Sequence, residues 1–152
     1  MSEVLDVMGP HIQHVTELSD DKNYSVMKGE LMPGVFIPLH SHADRETFFV
    51  ISGELEAYTG TEWKVFKAGD TLDVSGNQKH ALRNASNEKV TLVIVSSVKM
   101  GKFFKEVGHP VASVPPGPPT PEAMQHFVGT AISYGYELGT PEENASIGIS
   151  LG

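Results

Sequence analysis

Between residues 24 and 100, short apolar runs alternate with polar positions and are broken by Gly, Pro, Asn and Asp. A period of two puts successive side chains on opposite faces of a strand. Thr47–Ile51, Leu55–Tyr58, Thr61–Phe66, Thr71–Val74 and Val90–Val98 are therefore predicted as strands. Their spacing predicts an all-β sandwich or barrel. Hairpin turns are expected at Thr59-Gly60-Thr61, between Tyr58 and Trp63, and near Asn84–Glu88. Residues 1–23 are polar and mixed, an N-terminal arm ending in the turn-like run Ser19-Asp20-Asp21-Lys22-Asn23.

The pattern changes after residue 100, so the chain divides into the arm, a β-barrel region over 24–100 and a tail over 101–152. Pro110 to Pro121 carries Pro115, Pro116, Pro118 and Pro119 and reads as an extended strap packed over the barrel. Thr120-Pro121-Glu122 then has the order of an N-cap, a proline at the first helical position and a favourable acid. Met124, Phe127, Val128 and Ala131 follow at helical spacing, predicting a helix over about 121–133 that docks by this stripe. Thr140-Pro141-Glu142-Glu143 has capping-box spacing and marks a second helix start.

Composition narrows the chemistry. A chain of 152 residues fits one domain with a core of its own. It has no cysteine, so a metal would need His and carboxylate ligands. With 11 basic and 19 acidic residues, the net charge of −8 argues against nucleic acid or an anionic membrane as partner. No signal peptide or membrane span is expected, and a cytoplasmic protein is the default.

The stretch Gly34 to His42 ends in His40-Ser41-His42, and Glu46 follows after Ala43-Asp44-Arg45. On a strand, His40 and His42 point the same way, and Glu46 shares their parity. Two imidazoles and a carboxylate from one corner make half a site for a borderline divalent metal. His80 follows the turn Ser75-Gly76-Asn77 and closes the site if its strand lies beside the first.

Gly34, His40, His42, Glu46 and Gly53 match a glycine, five residues, His-x-His, three residues, Glu, six residues, glycine. That is the first motif of the cupin superfamily, and Gly69, His80 and Asn84 match the second. The chain thus resembles small single-domain cupins, quercetinase-like dioxygenases among them. Ser75 stands where the family usually has Pro and Asn77 where it has Gly; Asn tolerates the left-handed backbone such a turn needs. The resemblance implies a small antiparallel β-barrel, a double-stranded β-helix or jelly roll, commonly in a homodimer. It also implies one divalent transition metal (Fe, Mn, Ni, Co, Cu or Zn) held by His40, His42, Glu46 and His80. Four protein ligands leave one or two positions for water, O₂ or a substrate oxygen, as in catalytic sites.

By parity, Phe36, Pro38, Phe48, Val50, Leu72, Val74 and Leu82 share the ligands' face. An apolar wall of this kind suits a small organic substrate docking one or two oxygens on the metal; we expect Phe36, Phe48, Val50, Leu72 and Leu82 to line its pocket. The resemblance implies a dioxygenase acting on an enol, phenolic or diketone-like molecule, with Glu46 as catalytic base for its hydroxyl proton. Lewis-acid isomerase, lyase or hydrolase chemistry, and a non-catalytic ligand-binding role, remain as alternatives. His11, His14, His109 and His126 lie outside both motifs and are expected to have no ligand duty. Asn84 reads as a turn residue, and Trp63 as core or dimer interface.

Overall fold

The computed structural model describes residues 2–19 and 22–151. Asp20 and Asp21, the centre of the turn expected at 19–23, lie outside the described residues. Twelve strands and three α-helices occur among the described residues: β1 (Leu5–Asp6), β2 (His11–His14), β3 (Ser25–Leu31), β4 (Phe36–Ser41), β5 (Glu46–Ser52), β6 (Glu54–Tyr58), β7 (Trp63–Lys67), β8 (Thr71–Val74), β9 (His80–Arg83), β10 (Val90–Ser96), α1 (Val98–Val107), β11 (His109–Pro110), α2 (Pro121–Ser133), β12 (Glu137–Leu138) and α3 (Pro141–Ser146). One sheet runs β11-β1-β2-β3-β10-β5-β8 and the other β12-β4-β9-β6-β7, with every pairing antiparallel. This is the expected all-β double-stranded β-helix with a helical C-terminal part.

Alternation builds the interior. Met27 and Leu31 of β3, Phe48 and Val50 of β5, Leu55 and Ala57 of β6, Leu72 and Val74 of β8, Leu82 of β9 and Leu92 and Ile94 of β10 form one buried cluster. Their neighbours in sequence face outward. The β6–β7 hairpin turns where expected, with Tyr58 paired to Trp63. The turn at Asn84–Glu88 is not a hairpin, because β9 and β10 belong to different sheets and the chain crosses between them. Asn84 pins that crossing: its Nδ2 donates to Leu31 O at 2.9 Å and Glu88 O at 2.7 Å.

Residues 5–14, read as an arm, instead supply two strands. β2 pairs along β3, with Ile12 and His14 turned inward. The two histidines in a four-residue run hid that alternation. His14 is buried, its Nε2 lies 2.8 Å from Gly101 O, and burial lowers its pKa.

No sequence signal separates helix α1 from the strand before it, since the apolar run of β10 leads straight into it. Its N-cap is Ser97, whose hydroxyl accepts from Met100 N, and Met100, Phe103 and Val107 bury its inner face. Helix α2 occupies the expected span, with Thr120 accepting from Ala123 N. Most of the expected docking stripe faces inward: Ala131 is buried and Phe127 and Val128 are half-buried, with Phe103 of α1 offering its ring to Phe127 at 5.7 Å, whereas Met124 is exposed. The Pro-rich strap is not packed over the barrel; residues 112–122 are exposed throughout. Five prolines deny that stretch the backbone donors a sheet needs. Among the described residues, no helix is long and apolar enough to cross a membrane.

The tail closes the second sheet instead. Its capping box at Thr140 and Glu143 forms as expected and starts α3. Asn144, fully buried, accepts from Leu39 N at 2.8 Å, and Gly139 N donates to Leu39 O at 2.7 Å. On the same face, Leu39, Ala81 and Ile149 form a small second cluster flanked by Trp63. Trp63 donates to Ile147 O at 2.8 Å, with the Arg83 guanidinium 3.8 Å above its ring.

Gly53 follows β5 in the left-handed region, at φ +84°, and a Cβ there would stand 2.5 Å from Lys89 O. Gly69 shares the conformation, at φ +92°, with open space around it. Gly53→Ala should therefore cost about 2–3 kcal/mol of stability and Gly69→Ala about 1 kcal/mol, in denaturant titration. Equal losses would show that the Lys89 contact is not limiting.

Candidate metal centre

Strand β4 carries the first half of the site, and a bulge shapes it. Ile37 faces Leu82 and His40 faces His80, so one extra residue sits between them at Pro38 and Leu39. Proline has no N–H for the ladder, which is where bulges are tolerated. The bulge breaks the parity on which Phe36 was expected to face the pocket. Ile37 packs against the interior, while Phe36 is 39% exposed and paired with Arg83. Phe48, Val50, Leu72 and Leu82 do turn inward, one or two steps deeper along the strands than Glu46 and His80.

His42 follows the end of β4, Glu46 opens β5 and His80 opens β9. One ligand atom from each of His40, His42, Glu46 and His80 lies within 4.8 Å of the others. The imidazole rings of His40 and His80 are 4.1 Å apart between centroids, and those of His42 and His80 5.0 Å. His11, His14, His109 and His126 take no part in such a cluster.

Each ring is oriented by its other nitrogen. His40 Nδ1 lies 2.7 Å from Pro38 O, His42 Nδ1 2.8 Å from Asp44 O, and His80 Nδ1 2.8 Å from Gln78 O. A carbonyl only accepts, so Nδ1 holds the proton in all three and Nε2 presents its lone pair. His42 Nε2 is 2.9 Å and His80 Nε2 3.5 Å from Glu46 Oε1, and both nitrogens are buried without completing a hydrogen bond. Two leftover buried nitrogens aimed at one carboxylate are what a cation satisfies. A cation bonded at about 2.1 Å to each donor would separate the donors by about 3–4 Å. The residues fit a divalent metal.

Protonation agrees. Burial, reinforced by His80, pushes the pKa of His40 down to about 3. Burial alone would raise Glu46, but the close approach of His42 and His80 outweighs it and holds the carboxyl at about 2. His42 loses by burial and gains more from Glu46, and its pKa is raised. A neutral His40 and an ionised Glu46 are the forms a metal takes up.

The site is nearly closed to solvent. His42, Glu46 and His80 are buried, and His40 alone is partly exposed. A cavity of about 60 Å³ adjoins His40, lined also by Leu39, Ser41, Lys79, Glu137 and Glu143. Tyr136 sets its ring 5.5 Å from that of His42. Tyr136 was missed in the sequence, 94 positions from His42, because only the packing of α1 and α2 brings it there. The Ser75-Gly76-Asn77 turn uses the left-handed backbone that Asn tolerates. Asn77 takes φ +64° and its N–H donates to His42 O at 2.6 Å.

Comparison with known proteins bears on the same region. A family model described as a cupin domain matches residues 27–96. An uncharacterized conserved protein with a double-stranded β-helix domain from Klebsiella pneumoniae is 30% identical, over 58% of this chain and 76% of that one, with a TM-score of 0.51. An RmlC-like cupin from Shewanella frigidimarina is 21% identical, over 63% and 83%, at 0.55. A predicted oxalate decarboxylase from Thermotoga maritima is 21% identical, over 58% and 79%, at 0.54. No curated protein matches. Fold, both motifs and the domain model coincide on one stretch of sequence, and the chain belongs to the cupin superfamily.

Proposed function

We propose that this chain is a metal-dependent enzyme acting on the oxygen function of a small organic molecule, of enol, phenolic or diketone type, by dioxygenase chemistry. What carries the reading is the convergence of three Nε2 lone pairs and one carboxylate whose protonation states are set by the surrounding backbone. When bound, a divalent transition metal supplies Lewis acidity and, if redox-active, the oxygen chemistry that these side chains lack.

The chain's own residues would do the rest. His40, His42 and His80 hold the ion through Nε2, with Glu46 as the anionic ligand. Phe48, Val50, Leu72 and Leu82 form an apolar floor that keeps water away from the reacting centre. Ile37 replaces Phe36 in that wall. Glu46, ionised at neutral pH, is in the form needed to accept the substrate's hydroxyl proton.

Elemental analysis of purified protein should find one divalent transition metal per chain, and His42→Ala should lose most of it. Because His42 has a raised pKa, a proton competes with the metal at its Nε2. Metal affinity should therefore fall as pH drops from 7.5 to 5.5, with protons released on binding in calorimetry. An affinity independent of pH would place the metal elsewhere. After reconstitution with iron(II), manganese(II), nickel(II) or cobalt(II), oxygen uptake with flavonols, 1,2-diketones or catechols is expected. Absence of uptake with all of them would remove the dioxygenase reading and leave the metal site intact. Light scattering should give twice the chain mass if the symmetric pair common in this family forms.

A further inference from the structure

Across the seven-stranded sheet, strand pairing lines up four ligand-type side chains that the barrel cluster does not use. His109 of β11 lies opposite Asp6 of β1, Asp6 opposite His11 of β2, and His11 opposite Glu30 of β3. Residues directly opposite share a face, with Cβ atoms about 5 Å apart. Leu5 and Ile12, the neighbours of Asp6 and His11, are buried in the core, so the row lies on the outer face. Asp6 thus has an imidazole on either side, although the two histidines lie far apart in sequence.

The carboxylate is already aimed. The β1–β2 turn passes through Met8 and Gly9 in the left-handed region, at φ +57° and +117°. Gly9 N–H donates to Asp6 Oδ1 at 2.8 Å. That leaves Asp6 Oδ2 facing along the row, 4.0 Å from His11 Nε2, with both side chains 20% exposed. The separation is too long for a hydrogen bond. It is close to the spacing of about 3–4 Å between two donors on one ion. Glu30, beyond His11, is engaged elsewhere, since Lys89 Nζ lies 2.8 Å from its Oε2. His109 is exposed, and rotation about its two side-chain bonds, fast at a surface, carries its ring over Asp6. That rotation is required: among the described residues, the barrel cluster alone already holds three donors within 4.8 Å of one another.

We propose that Asp6, His11 and His109 form a second metal site, taking one borderline divalent ion such as zinc(II) on the outer face of the sheet. Two imidazoles and one carboxylate suit that class of ion. Its work is structural. Strands β1 and β11 have two residues each, and β11 follows directly on α1, whose Phe103 packs against Tyr136. An ion shared by β1, β2 and β11 ties the end of α1 to the sheet. The site is independent of the barrel ligands and of the reaction proposed above.

Zinc(II) titration of the metal-free full-length protein by calorimetry tests it. Wild type should bind two ions per chain, one tightly and one more weakly. The weaker ion exchanges during purification, so it adds nothing to the single ion expected above. His42→Ala should lose the tight class and keep the weaker. His109→Ala, at an exposed position, should keep the tight class and weaken the other by about tenfold or more. Asp6→Asn should act like His109→Ala. Zinc should also raise the melting temperature of His42→Ala, and not that of the His42→Ala, His109→Ala double variant. A wild type without the weaker class, or a weaker class that His109→Ala leaves unchanged, overturns the inference. Absence of the tight class alone would overturn the barrel site and leave this one standing.

Discussion

Hydrogen bonds from three imidazole Nδ1–H groups to main-chain carbonyls set the character of this site. Pro38, Asp44 and Gln78 lie two residues from the histidines they orient, so each ring is steered by its own stretch of backbone. The β4 bulge belongs to this arrangement, since the carbonyl of Pro38 is the one that fixes His40. A loop of this kind decides the tautomer before any ion arrives, and binding then requires little reorganisation. The cost is borne by the fold, which keeps lone pairs and a carboxylate in a dry interior.

Much of this was legible in the sequence, for identifiable reasons. His40, His42, Glu46 and His80 come together because period-two alternation and the two glycine-punctuated motifs act locally. Helices α2 and α3 were legible because Thr120 and Thr140 cap them within a few residues. Phe36 went astray because a bulge shifts parity by one, and a single proline is a weak sign of it. Helix α1 was hidden because the apolar run of β10 continues into its buried face. Tyr136 was beyond reach, since its place depends on two helices packing through Phe103 and Phe127.

The C-terminal third thereby acquires a definite part in the architecture. It walls the metal cluster on two sides, with Tyr136 against His42 and residues 137–143 around the cavity at His40. The barrel holds the ligands, while these later residues set what space is left next to them. That division matches the general behaviour of this fold, in which one scaffold serves many reactions and the added segments distinguish them.

Pairing of β12 and α3 with β4 has a further consequence for how the protein is made. The outer edge of β4 stays open until Glu137 to Asn144, about a hundred residues later, have been synthesised. During translation this histidine-bearing edge is a bare row of donors and acceptors, able to recruit a stray strand from another molecule. Nascent chains cut short before Gly139 would be the ones most prone to aggregate.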